Sequence, residues 1–181
     1  MKKLAKLTAL LLTGVMLLLL ASCGAAPNPG VPGGSSGLTA AEAKAKREIF
    51  KAINEERQKV GSPLLREVSA LTQLEQEFIE NFRKAGTNGI PMKDANQLEQ
   101  ELLKKQKNAG WTYYGGISFS ATSVANDTAK LDSVYKGDTS EFRKELIDYG
   151  FASDPSTALS VGVVTIDGKI YWTASVLVPK K

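Results

Sequence analysis

Apolar residues recur at helical spacing through three stretches of the chain and at strand spacing near its end. The first helix is predicted to start after Thr39, where Glu42 stands three residues on as a capping box. Ala45, Ile49, Phe50, Ile53 and Val60 form its apolar face, and Gly61-Ser62-Pro63 ends it. A second helix carries Leu71, Leu74, Phe78 and Phe82 on one side and breaks between Gly86 and Pro91. A third is predicted from Asp94 to Ala109, with Asp94 and Gln97 at cap spacing, Leu98 and Leu102 inward, and Gly110 as the stop. Trp111, Tyr113 and Tyr114 lead through Gly115-Gly116 into a short strand over Ile117–Ala121. Two shorter helices are expected over Val124–Tyr135 and Thr139–Tyr149.

The last segment is the most sharply patterned. Leu159–Ile166 and Lys169–Val178 flank Asp167-Gly168, a two-residue hairpin turn. That turn pairs Thr165 with Ile170, Val163 with Trp172, Val161 with Ala174 and Leu159 with Val176 on one apolar face. The opposite face carries Val164/Tyr171, Gly162/Thr173 and Ser160/Ser175, and is smaller and more polar. Helices first and a hairpin last make the fold α+β, with helices packed on a small antiparallel sheet.

The start of the chain has another logic. Lys2, Lys3 and Lys6 precede an uncharged, leucine-rich run from Leu7 to Leu20, the layout of an export signal. The run is shorter than the ~20 residues a membrane-spanning helix needs. Leu20-Ala21-Ser22-Cys23 resembles the lipobox of bacterial lipoproteins. That resemblance implies cleavage before Cys23, acylation of its thiol with palmitate-type chains, and an anchor of two or three chains, which holds stably where one is marginal. Residues 24–37, with Pro27, Pro29, Pro32 and Ser35-Ser36, read as a flexible tether. Its mean span is on the order of 20 Å. The expected organisation is a signal peptide over 1–22, lipidated Cys23 and tether over 23–37, and one domain over 38–181.

Composition removes whole classes of chemistry. Loss of residues 1–22 takes away three lysines and no acid, so the formal charge of +4 falls to +1. No basic field remains for nucleic acid. There is no histidine, and Cys23 is the single cysteine. Ser-His-Asp and Cys-His catalysis are excluded, and the commonest zinc ligand is missing. Carboxylates, tyrosines and lysines are the remaining general acids and bases. The Asn126-Asp127-Thr128 triplet reads as chance in the bacterial protein that the lipobox resemblance implies. No cofactor is expected.

Asn54-Glu55-Glu56-Arg57, then Gly61, Pro63 and Leu64, resembles the opening of a CAP domain, the superfamily of cysteine-rich secretory, antigen-5 and pathogenesis-related proteins. Val161-Gly162-Val163 and Tyr171-Trp172 resemble its closing strands. The resemblance implies a three-layer α-β-α sandwich over about residues 45–178. It also implies a cleft of two histidines and two acids, and here this chain departs from the family. Ala85–Pro91 holds no histidine, and Tyr114-Gly115-Gly116-Ile117 stands where a Gly-Glu-Asn motif belongs. Phe142 before Arg143 takes the second histidine's place, or, with a one-residue shift, Glu141 does.

The expectation is a membrane-tethered, extracytoplasmic, non-catalytic binding module for a lipid, an envelope polymer (glycan) or a protein. The alternatives are a carboxylate-dependent hydrolase and a weak divalent-metal binder using Glu141. Gly24 after the lipidated cysteine lacks the inner-membrane retention aspartate, which places the protein in the outer membrane of a cell that has one. Otherwise it stays on the outer face of the cytoplasmic membrane. Tyr113, Tyr114, Glu141, Phe142 and Tyr171 are the candidate groove. Glu55, Glu56, Glu75, Glu77 and Glu80 are read as solvated or ion-paired helix faces, and Trp172 as core.

Overall fold

A computed structural model describes residues 37–117, 120–123, 127–137 and 155–181. All belong to one compact unit, Ser36–Lys181. Cys23, the tether, Glu141, Phe142 and the helix expected over Thr139–Tyr149 lie outside the described residues.

Helix α1 spans Ala40–Lys59 and opens on the predicted capping box. The Glu42 amide donates to Thr39 Oγ1 at 3.2 Å and the Thr39 amide to Glu42 Oε2 at 2.8 Å. Val60, expected on the apolar face, is 58% exposed. It caps the last turn instead of belonging to it. Helix α2 spans Ser69–Ala85 and α3 spans Met92–Asn108. The third helix therefore starts before the Asp94 cap read from the sequence. Pro91 is its N-cap, and the Met92 amide is already bonded to the Asp127 carbonyl at 2.8 Å. Gly110, with φ +86°, follows its last turn as expected.

The strands are β1 (Arg66–Glu67), β2 (Ile90–Pro91), β3 (Trp111–Ile117), β4 (Ser120–Ser123), β5 (Thr128–Lys130), β6 (Val134–Tyr135), β7 (Ala158–Ile166) and β8 (Lys169–Pro179). Among the described residues they form a five-stranded sheet, β1-β7-β8-β3 with β6 also on β8, and a three-stranded sheet, β2-β5-β4. The larger sheet is antiparallel except for the short parallel pairing of β1 with β7. The hairpin register is the predicted one throughout. Asp167 at φ +47° and Gly168 at φ +74° make a turn whose two central residues are both left-handed, the geometry that matches strand twist.

The helix expected over Val124–Tyr135 is not formed by its described part. Residues 128–130 and 134–135 are strands. Ala129, Leu131 and Ser133 are buried while Asp132 is exposed, a period of two rather than of 3.6.

Helices cover both faces of the larger sheet. Ile49, Ala52 and Ile53 of α1 pack with Leu159, Val161, Val163, Trp172, Ala174 and Val176. On the other side Phe78, Ile79 and Phe82 of α2 and Ala95 and Leu102 of α3 pack with Val164 and Ile166. Gly162 lets α2 approach the sheet. A Cβ there would lie 2.8 Å from the Glu75 carbonyl.

Beyond Leu159, the outer edge of β7 has no strand beside it among the described residues. Side chains take that role. The Gln76 amide donates to the Val163 carbonyl at 2.7 Å, and its oxygen accepts from the Val163 amide at 3.0 Å. Glu42 accepts from the Thr165 amide at 2.7 Å and hydroxyl at 2.8 Å. An edge whose alternate groups are already bonded offers no template for another chain. Arg83 closes the network, 2.9 Å from Glu42 and 2.7 Å from Glu80. Burial pushes the Glu42 carboxyl up, but the Thr39 amide, the Thr165 hydroxyl and Arg83 together hold it below the ordinary carboxylate value.

Candidate functional site

The Asn54–Arg57 segment is structural. The Asn54 side chain bonds both backbone groups of Leu65, donating to its carbonyl at 3.0 Å and accepting from its amide at 2.8 Å. Arg57 is fully buried. Its Nε donates to the Pro63 carbonyl at 2.8 Å and its Nη2 to the Ser156 carbonyl at 3.2 Å. One guanidinium thus ties the loop after α1 to the segment entering β7. Glu55 sits 3.5 Å from Lys51 and Glu56 2.7 Å from Lys59, the ion-paired helix face expected of them.

The acids of α2 divide. Glu77 is on the surface, 3.3 Å from Lys105, and Glu80 pairs with Arg83, as expected. Glu75 does not: it is 2% exposed. It accepts from Ser175 Oγ at 2.8 Å and Ser160 Oγ at 3.1 Å, both on the polar face of the hairpin. The sequence signal was present in the Ser160/Ser175 pair, which is buried and supplies donors to a carboxyl one helix away. Desolvation raises the Glu75 pKa, and the hydroxyls of Ser175, Thr173 and Ser160 offset this only in part.

That environment sets a pH dependence. Unfolded, the carboxyl titrates near its ordinary value of 4.5, and folded it titrates higher. Between the two values the native state holds a proton the unfolded chain has lost, so stability falls as pH rises through the folded value. Glu75→Gln keeps the neutral hydrogen-bonding shape and removes the titration. Its melting temperature should stay near that of the parent at pH 4 and exceed it at pH 8 by about 2–4 °C for each kcal/mol relieved. Equal shifts at both pH values would show that Glu75 titrates in the folded protein as it does in the unfolded chain.

The predicted aromatic groove is not assembled by its described members. Tyr113 lies opposite Leu177 on β8, and Tyr171 is six residues away along the same strand. At ~3.4 Å per residue that is about 20 Å. Tyr114, at the register shift of β3, is exposed, whereas Tyr113 is 37% exposed with its hydroxyl turned onto the sheet. The Tyr113 hydroxyl folds back over Gly116, and burial, with Glu99 and Glu75 nearby, pushes its pKa up to about 12. Trp172, by contrast, is buried in the core as expected.

Tyr171 instead borders a cavity of about 240 Å³ at the C-terminal end of α2. Its walls are Phe82, Leu131, Ile166 and Tyr171, with Gly86, Thr87 and Gly89 from the following turn and Lys130 from β5. Sequence reading singled out neither Thr87 nor Lys130, because a turn threonine and a strand lysine become site residues only when the smaller sheet docks beside α2. A second hollow of about 300 Å³ lies on α1 between Leu38, Phe50 and the Lys46–Glu67 ion pair. Among the described residues no group of three or more acids, histidines or cysteines is placed to hold a metal ion. No described helix is long and apolar enough to cross a membrane. No protein-family model, no curated protein and no solved structure matches this chain.

Proposed function

We propose that this chain is an extracytoplasmic lipoprotein, anchored by acylated Cys23, whose divergent CAP-like domain is a non-catalytic binding module. The observation that carries the reading is Leu20-Ala21-Ser22-Cys23 closing a lysine-led apolar run. The domain adds support through its helix–sheet–helix layering and through Asn54 and Arg57, which hold the fold together at the positions of the family resemblance. The buried polar groups Glu42, Glu75, Gln76 and Arg57 are bonded inward, as scaffold. Glu75, the described acid with a raised pKa, is enclosed by the sheet, so it lacks the open acid pair that glycoside hydrolysis requires.

Expression of the full chain in a bacterial host with a palmitate analogue tests the anchor. The label should enter the parent and not Cys23→Ser, which should leave the membrane fraction almost entirely, since the acyl chains supply ~0.8 kcal/mol per buried CH₂. Unchanged fractionation of Cys23→Ser without label in the parent would discard the lipoprotein reading. Native mass spectrometry of the purified protein then tests the module: a retained small-molecule or glycan mass supports it, and catalytic turnover of an envelope polymer by the same sample would replace it with the hydrolase.

A further inference from the structure

The cavity at the end of α2 joins apolar walls to polar residues whose side chains have no partner among the described residues. Phe82 and Ile166 are buried core residues whose edges reach the cavity, and Leu131 faces it from the end of β5. Lys130 is half-buried and, among the described residues, has no carboxylate at ion-pair distance. Its stem is fixed by a close backbone crossing: a Cβ on Gly89 would lie 2.8 Å from Lys130 Cγ and 2.4 Å from the Ala129 carbonyl. Gly89 therefore has no room for a side chain, and the first carbons of the Lys130 stem pack against it beside the cavity that Lys130 lines.

Thr87 and Tyr171 line the same space, and neither side-chain hydroxyl has a hydrogen-bond partner among the described residues. An ammonium and two hydroxyls are all able to donate, and a carboxylate accepts only, through two oxygens with about four lone-pair sites. Charge-assisted bonds of this kind are the strong ones. Polar groups converging in an otherwise apolar hollow are the usual composition of a small-molecule site. The volume of about 240 Å³ falls below the ~300–1,000 Å³ of drug-sized sites, so the occupant is one ring or a short chain.

We propose that this cavity binds a small monocarboxylate with an apolar body, the carboxylate taken by Lys130, Thr87 and Tyr171 and the body by Phe82, Leu131 and Ile166. The inference deepens the binding-module reading and rests on it.

Amide-resolved NMR titration of the purified protein with benzoate, hexanoate and uncharged benzyl alcohol tests it. Benzoate or hexanoate should give saturable shifts confined to residues 86–89, 130–131 and 166–171, with a Kd on the order of 1 mM. The tighter of the two tells ring from chain. Benzyl alcohol should bind about tenfold more weakly, since one lost charge-assisted bond is ~1.4 kcal/mol or more. Lys130→Met keeps the stem and should erase the preference for the anion, with an unchanged amide spectrum elsewhere reporting an intact fold. Non-saturating shifts, equal affinity for benzyl alcohol, or unaltered benzoate binding by Lys130→Met would overturn the proposal. Should the native mass spectrum retain a ligand that Lys130→Met also retains, the cavity assignment fails while the binding-module reading stands.

Discussion

Arg57→Ala is expected to lower the stability of the domain by about 3–5 kcal/mol, the combined cost of two buried carbonyls left unpaired and the void of a large side chain. The side chain is fully buried and bonds the carbonyls of Pro63 and Ser156, residues far apart in sequence. Its removal strands those carbonyls without water, at ~1–3 kcal/mol each. It also leaves a void where a large side chain was. Arg57→Lys keeps the charge but presents a compact ammonium in place of a planar fork, so it cannot reach both carbonyls in the same geometry. It should recover no more than about half of the loss. Urea unfolding midpoints at a common m-value measure both. A loss under ~1 kcal/mol for Arg57→Ala would mean that the α1 loop and the β7 entry are held by other contacts.

Trp172→Ala is expected to cost about 3–5 kcal/mol by a different route, the lost burial of an indole plus the cavity it leaves. Trp172 is 1% exposed in the centre of the hairpin's apolar face, opposite Val163 and within the cluster that α1 covers through Ile49 and Ile53. Because α1 meets the sheet mainly through this face, the damage should fall on the α1 side. Amide exchange should accelerate in Ala40–Lys59 more than in Ser69–Ala85. Trp172→Phe retains most of the apolar volume and should lose under half as much. Equal acceleration in both helices would show that the two sides of the sheet unfold as one unit.

The two helix layers differ in what holds them. The α1 face is apolar through Ala45, Ile49, Ala52 and Ile53, with Glu42 bonded to Thr165 at its N-terminal end. The α2 face mixes Phe78, Ile79 and Phe82 with Glu75 and Gln76, whose hydrogen bonds to Ser160, Ser175 and Val163 fix the register of helix on strand. A buried carboxyl and amide are adverse unless bonded, so they penalise every alternative docking of α2. The bonds that satisfy Gln76 and Glu42 also close the edge of β7. One set of polar side chains therefore orients a helix and blocks strand addition.

Local patterns were legible because each is decided by neighbours in the chain. Thr39 and Glu42 fix the start of α1, and Asp167-Gly168 fixes the hairpin register, since few other residue pairs accept two left-handed conformations in succession. The apolar alternation of Leu159, Val161 and Val163 against Trp172, Ala174 and Val176 then dictated which face met α1. Errors occurred where pairing over distance outweighs local preference. Residues 128–130 pair with β2 and β4, and the short alternation Ala129-Lys130-Leu131-Asp132 is too brief to outweigh a helical reading until those partners are in place. The third helix begins at Met92 instead of Asp94, because the Asp127 carbonyl receives the first amide.

The candidate chemistry divides the same way. The sequence by itself determined the lysine-led apolar run, the Leu20-Ala21-Ser22-Cys23 motif on which the anchor proposal rests, the Pro/Gly/Ser-rich stretch after it and the absence of histidine, because these rest on residue type and order along one stretch of chain. Only the tertiary structure decided that Glu75 is buried between two serines, that Tyr113 on β3 and Tyr171 on β8 lie about 20 Å apart along the sheet, and that Lys130, Thr87 and Tyr171 border one cavity. The physical reason is that solvation and proximity belong to pairs of segments. An acid, a lysine or a tyrosine acquires its environment only when a helix and two sheets, distant in sequence, close around it.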